Sequence, residues 1–271
     1  MLAIRKGGEL IDVARYSIIG SVLGNVLLIL GASVLSAGIH HGRRTFDNRI
    51  AGVNATMLLL ATATLAIPTL FAHVDGVPRH DAESLSVGVA VVMLVLYVLY
   101  LVHSFQDPEA GGQDMDDTAR WSTRLSLGML AYTALATGVL SEVLVNAIEP
   151  TIESTGISPL FIGLIVVPII GNVAEHFAAV KISWGGDLDF SMGIAFNSAL
   201  QVALALSAVA VAAGYVFGHA VALDFGVIEV ALLIAATLLA STVAVNGHAN
   251  WLEGVELLGI YAIAALVFWY L

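Results

Sequence analysis

Residues 165–176 read IVVPIIGNVAEH. An amide, a carboxylate and an imidazole stand there at i, i+3 and i+4. These are Asn172, Glu175 and His176, and the spacing puts all three on one face of a helix. They follow an apolar run long enough to enter a bilayer. Pro168 removes a helical hydrogen bond within that run, and Gly171 loosens the backbone three residues later. A carboxylate at membrane depth costs roughly 2.5–3.5 kcal/mol on insertion scales, and by default marks an ion path or a proton relay. Helices broken beside polar side chains are how transporters build ion sites near the bilayer midplane. The chemistry on offer is therefore the binding of a cation or a proton by Glu175. The competing reading is a carboxylate at a helix end that reaches out to water.

A second set of polar side chains repeats along the chain. Residues 12–30 read DVARYSIIGSVLGNVLLIL and residues 189–206 read DFSMGIAFNSALQVALAL. In each copy a serine follows the aspartate by about nine residues, and a side-chain amide follows the serine. Ser21 and Asn25 stand at i, i+4; Ser198 and Gln201 stand at i, i+3; each pair shares a helix face. Internal repeats in a membrane protein are the mark of secondary transporters, whose site lies at the repeat interface. Alternatively such residues hydrogen-bond neighbouring helices together, aided by Gly20, Gly24 and Gly31. Glu175 precedes Ser198 by 23 positions. The matching carboxylate of the first copy is therefore expected before Met1.

The elements that must position these groups are membrane helices. Of the 271 residues, 59% are hydrophobic and 11% charged, and the mean hydropathy is +0.93. Runs of about 20 apolar residues span a bilayer. Continuous rather than alternating apolarity excludes a β-barrel. The pattern predicts an all-α polytopic protein of about eight helices. They are expected near Tyr16–Ile39, Ile50–Ala72, Leu85–Phe105, Thr123–Ile148, Pro159–Ser183, Phe190–Val216, Phe225–Val245 and Leu252–Leu271. Ser158 is placed to cap the fifth helix, with Pro159 in its first position, and Asp189 to cap the sixth. Residues 106–122 form an acidic link with Asp107, Glu109, Asp114, Asp116 and Asp117. The link is solvated, or it draws cations to a pore mouth. By parity, Arg43, Arg44, Arg49, Arg120, Arg124 and Lys181 collect on one side, which the positive-inside rule makes cytoplasmic. Arg5, Lys6 and Arg15 oppose that assignment.

Composition removes several classes of function. With no cysteine, thiolate metal sites and cysteine nucleophiles are absent. A net charge of -11 leaves no basic footprint for nucleic acid. Acidity with only two lysines, Lys6 and Lys181, suits a high-salt organism. The N-terminus lacks the short apolar core of a cleavable signal.

Gly171-Asn172-Val173-Ala174-Glu175-His176 resembles the second-repeat Gly-Asn-x-x-Glu-His motif of the calcium/proton exchangers, within the calcium/cation antiporter superfamily. Gly20-Ser21 with Asn25 is similar to their first-repeat Gly-Ser-x-x-x-Asn, and Asn250-Trp251-Leu252-Glu253-Gly254 to their final-helix signature. The resemblance covers essentially the whole chain. It departs at Asn197-Ser198-Ala199-Leu200-Gln201, where the family has Gly-Ser-Ser-x-Gln. It also lacks the first-repeat Gly-Asn-x-x-Glu with about three helices, so the chain reads as an N-terminally truncated member. The resemblance implies an inverted-repeat antiporter, with residues 1–105 and 123–271 as its two halves around the link 106–122. It implies calcium bound by Glu175, Asn172, Ser198, Gln201, Ser21 and Asn25, and protons coupled through Glu175 and His176. Calcium, protons and the lipid bilayer are then its partners, with no cofactor, and a missing upstream segment or self-association would complete it. A prokaryotic plasma membrane is the expected location. Glu142, Glu149 and Glu229 are expected to snorkel at helix ends. Two alternatives stand beside this: a transport-inactive fragment, and an intramembrane metalloenzyme using Glu175 and His176. The latter lacks His-Glu-x-x-His. A retinal-binding protein would need a buried lysine, whereas Lys181 falls near a helix end.

Overall fold

The computed structural model describes residues 1–106 and 122–271. Most of the acidic link, with its five carboxylates, lies outside the described residues. Long apolar stretches satisfy their own backbone hydrogen bonds only as helices when lipid surrounds them, and helices dominate the described chain. A short α1 (Leu2–Lys6) precedes α2 (Glu9–His41), α3 (Asn48–Ala72), α4 (Arg79–Gln106) and α5 (Thr123–Thr155). Then follow α6 (Pro159–Gly171), α7 (Val173–Trp184), α8 (Leu188–Phe217), α9 (Val227–Val245) and α10 (Trp251–Tyr270). Among the described residues seven helices are long and apolar enough to cross a membrane. The pair α6 and α7, bent by 57°, is a broken span or a re-entrant loop, and brings the number to eight if it crosses as one.

The bend falls at Asn172, one residue past Gly171, where φ and ψ leave the helical region at -106° and 11°. Pro168 lies inside α6, just past its π turn, where its missing N–H removes one helical hydrogen bond. Three stretches wind as wider π turns: Gly24–Ile29 in α2, Ile162–Val166 in α6 and Gln201–Leu206 in α8. Such turns leave backbone carbonyls awkwardly placed. In α8 the Ser207 hydroxyl donates to the Val202 carbonyl at 3.0 Å and satisfies one of them.

α2 is the central helix: 78% of its apolar window is buried, against none of the window in α5. Leu130, Tyr132, Leu135 and Leu140 of α5 all face outward. The first half of α2 packs on the π turn of α6, and its second half on α10. Glycines set both crossings. A Cβ on Gly20 would meet the Leu164 carbonyl oxygen at 2.2 Å, and one on Gly254 would meet the Leu35 nitrogen at 2.4 Å. Gly24, by contrast, has nothing within 4 Å. Without a hydrophobic drive between helices in lipid, such close backbone approach and hydrogen bonds do the joining. Thr62 and Thr237 bond at 2.9 Å between α3 and α9. The Ser191 hydroxyl donates to the Ala179 carbonyl at 2.8 Å between α8 and α7, and Ser183 donates to the Ser33 carbonyl.

The connections tie the helix ends on each face. On one, β1 (Arg44–Thr45) and β2 (His248–Ala249) form a two-stranded antiparallel pair, Arg44 opposite Ala249. On the other, the Thr69 hydroxyl accepts from Phe225 N at 3.0 Å, and Leu223 N donates to the Ser86 hydroxyl at 3.1 Å. Ser158 caps α6 as expected, accepting from Phe161 N at 3.2 Å, with Pro159 at the start. The cap of α8 is Asp187, which accepts from Phe190 N at 2.9 Å, and not Asp189. Asp189 lies one residue inside the helix and accepts from Asp47 N at 2.6 Å, joining the starts of α8 and α3 instead. Glu229 does not snorkel: it is buried and accepts from Gly226 N at 2.7 Å, closing the first turn of α9. Glu142 and Glu149 are exposed.

These contacts separate the two neighbouring glycines of α2. Gly20→Ala should destabilise the protein by about 1–3 kcal/mol, the range for overpacking. Gly24→Ala should be neutral or slightly stabilising, because alanine is the better helix former by up to about 1 kcal/mol. Thermal unfolding of the two variants in detergent checks the difference.

Candidate functional site

The repeated polar pairs sit on the two helices that cross at the centre of the molecule. Asn25 lies midway along the 33-residue α2 and is fully buried. Its amide Nδ2 donates to the Ser198 hydroxyl oxygen of α8 at 3.0 Å. Ser198 in turn donates its hydroxyl hydrogen to Glu175 Oε2 of α7 at 2.7 Å. A three-member chain, amide to hydroxyl to carboxylate, thus links α2 to the consecutive helices α7 and α8. The last bond has the length of a charge-assisted one.

Local geometry accounts for each position. The bend at Asn172 starts a new helix, and Glu175 falls in its first turn. A helix N-terminus favours negative charge by about 0.3–1 kcal/mol. No side chain caps that turn. The π turns begin beside the amides: one starts at Gly24, next to Asn25, and another at Gln201 itself. Widened turns of this kind recur at functional sites because they re-aim side chains without ending the helix.

The remaining expected ligands lie near this chain in sequence but outside its hydrogen bonds. Ser21 is one turn before Asn25 and half-buried; Gln201 is exposed, one turn beyond Ser198. Asn172 marks the bend, and its buried Nδ2 has no hydrogen-bond partner. The same holds for Nε2 of half-buried His176 and for Oδ1 of Asn25. Asn172, Asn25 and His176 thus each keep an unpartnered buried polar atom, which calls for an explanation beyond helix joining. Glu175 itself is exposed, so the carboxylate is open to an incoming ion. No group of three or more histidine or acidic side chains forms a metal site among the described residues.

A second polar cluster escaped the sequence reading. The Tyr100 hydroxyl of α4 lies 2.9 Å from Asn54 Oδ1 of α3 and 2.6 Å from Asn197 Oδ1 of α8. Asn197 was visible as a departure from the family pattern. Its partners come from two other helices, and no spacing along the chain announces them.

Comparison with known proteins places this architecture. The family described as sodium/calcium exchanger protein matches residues 1–106 and 125–270. The chain is similar to the Ca(2+)/H(+) antiporter of Aphanothece halophytica, 33% identical over 288 residues, covering 99% of this chain and 77% of that protein. It is likewise 33% identical over 281 residues to the vacuolar calcium ion transporter of Schizosaccharomyces pombe, covering 100% of this chain and 67% of that one. Among solved structures, native YfkE superposes with a TM-score of 0.84 at 31% identity, over 99% of this chain and 78% of that chain.

The Asn25–Ser198 bond is testable without any ligand. Asn25→Ala and Ser198→Ala should each leave the fold intact, since buried polar contacts in membranes average about 0.6 kcal/mol. A double-mutant cycle by thermal unfolding should return a coupling energy of that size. A coupling near zero would mean that the two side chains act independently.

Proposed function

The chain belongs to the sodium/calcium exchanger protein family, whose members are transporters rather than enzymes, and we propose that it exchanges calcium for protons across a membrane by alternating access. The observation that carries the reading is the hydrogen-bonded chain from Asn25 through Ser198 to Glu175, in which both repeat-related helices meet one carboxylate. The seven apolar helices and the bent pair make the protein integral to a membrane. We place it in a prokaryotic plasma membrane, in keeping with its acidic, lysine-poor sequence. Residues 1–105 and 123–271 are read as the two halves that rock against each other.

Calcium takes six to eight oxygen ligands and accepts carboxylates, carbonyls, hydroxyls and waters among them. Glu175 supplies the charge. For calcium to take Oε2, the Ser198 hydroxyl must turn its hydrogen away and present a lone pair instead. Asn25 assists by offering Oδ1, an acceptor that is buried and unpartnered. Gln201, Asn172 and Ser21 are the neutral oxygens nearest in sequence to complete the shell. A proton on Glu175 does the opposite: it cancels the charge and removes the attraction for the divalent ion. Calcium and protons are then alternative occupants of one group, which is the condition for exchange. His176, half-buried beside Glu175 in sequence, is placed to pass protons to it.

Proteoliposomes loaded at acid pH and diluted into a more alkaline medium with calcium test this reading. The parent protein should accumulate calcium as protons leave. Glu175→Gln keeps the shape but removes the charge, and should abolish uptake while leaving the protein inserted. Apparent calcium affinity of the parent should fall as pH is lowered, because protons compete for Glu175, and Ser198→Ala or Gln201→Leu should weaken binding at every pH. Uptake by Glu175→Gln at the parental rate would remove this carboxylate from the mechanism.

A further inference from the structure

We propose that Asn54, Tyr100 and Asn197, with the cavity beside them, form a proton route from one membrane face to Ser198 and Glu175 that calcium does not share. The proposal rests on the antiporter reading and adds to it residues that the exchange site does not include. The cavity measures about 170 Å³, and its wall includes Arg49, Asn54, Tyr100, His103 and Ser104. α3 begins at Asn48 and α4 ends at Gln106, so Arg49, His103 and Ser104 stand at the helix ends, where water is met. Asn54 and Tyr100 lie one to two turns deeper. The space is large enough for a short file of waters.

The cluster at the inner end is built to pass hydrogens. Tyr100 has one hydroxyl hydrogen and faces two amide oxygens, at 2.9 Å and 2.6 Å. It can donate to only one of them at a time, so the other amide must turn an N–H toward the phenol oxygen. Two arrangements of equal connectivity result, and the hydroxyl hydrogen points toward the cavity wall at Asn54 in one and toward α8 at Asn197 in the other. Asn197 directly precedes Ser198, whose hydrogen already rests on Glu175. Asn197 and Glu175 are both exposed, leaving space for water to join the two clusters. Along this line one proton enters the water file, Tyr100 hands its hydroxyl hydrogen to a water on the α8 side as its oxygen takes one from the file, and the two amides orient the hydroxyl without carrying the proton. Ser198 gives its hydrogen to Oε2 and takes one from the neighbouring water. The net change is one proton gained from solvent and one carboxylate neutralised.

Calcium gains nothing on the same line. No carboxylate lines the cavity among the described residues. The groups at the neck are a phenol and two amides, neutral ligands too few to replace the hydration shell of a divalent ion.

The test uses the full chain in proteoliposomes and compares two exchanges measured with radioactive calcium. Calcium-for-proton exchange needs the proton route; calcium-for-calcium exchange does not. Tyr100→Phe should slow the first by about tenfold, a modest share of what a positioned proton-transfer group contributes, and leave the second, with its calcium affinity, at parental values. Asn54→Ala, which keeps the hydroxyl, should slow proton exchange less. If Tyr100→Phe does not fold, Asn54→Leu, which places an apolar branched side chain in the cavity wall, is read by the same comparison. Equal loss of both exchanges would mean a structural role and overturn the route. Parental proton exchange in Tyr100→Phe would overturn it too, while a Glu175-dependent calcium exchange left the antiporter reading standing. A parent without either exchange would overturn both.

Discussion

A carboxylate within the span of an apolar helix is the constraint around which the structure is arranged. That placement carries an insertion cost of roughly 2.5–3.5 kcal/mol. It is offset by the Ser198 hydroxyl at 2.7 Å and by the N-terminal turn of a helix that starts inside the membrane. Starting a helix there requires a break, and the 57° bend at Asn172 supplies it. A carboxylate steadied by a hydroxyl and a helix start remains one that a cation or a proton can neutralise.

The break would open the bundle if its neighbours were not held firmly. Two tight crossings, Gly20 on Leu164 and Gly254 on Leu35, clasp α2 on either side of Asn25. The amide that reaches Ser198 is therefore fixed by backbone contact rather than by its own hydrogen bond. This division of labour lets the polar residues rearrange without loss of the fold, which alternating access requires.

Much of this was legible in the sequence. Helix number and order followed from apolar run length. The broken helix followed from Pro168, Gly171 and the polar trio after them. The juxtaposition of α2 with α8 was foreshadowed by the repeat of serine and amide. What could not be read depended on contacts between distant segments. Asp187 and Asp189 are two residues apart and equally suited to cap α8; the pull of Asp47 N on Asp189 decided between them. Glu229 looked like a snorkelling carboxylate until its own helix start enclosed it. α2 begins at Glu9 rather than Tyr16 because the polar side chains Asp12 and Arg15 pair at i, i+3 on the helix surface, where an apolar count sees only interruption. The Asn54–Tyr100–Asn197 cluster draws on three helices, so no single stretch encodes it.

The π turns carry a consequence for how the site is wound. Each such turn holds a residue more than an α-helical turn does, stored as local slack between fixed helix ends. Were that slack passed along α2 across Asn25, the amide would swing by about 100° about the helix axis and advance about 1.5 Å, while both clasped crossings stayed where they are. The same holds for Gln201 in α8. Side-chain amides mounted on stored slack are a dial rather than a fixed cage: their bearing on Glu175 is adjustable one residue at a time, with no helix needing to slide past its neighbour.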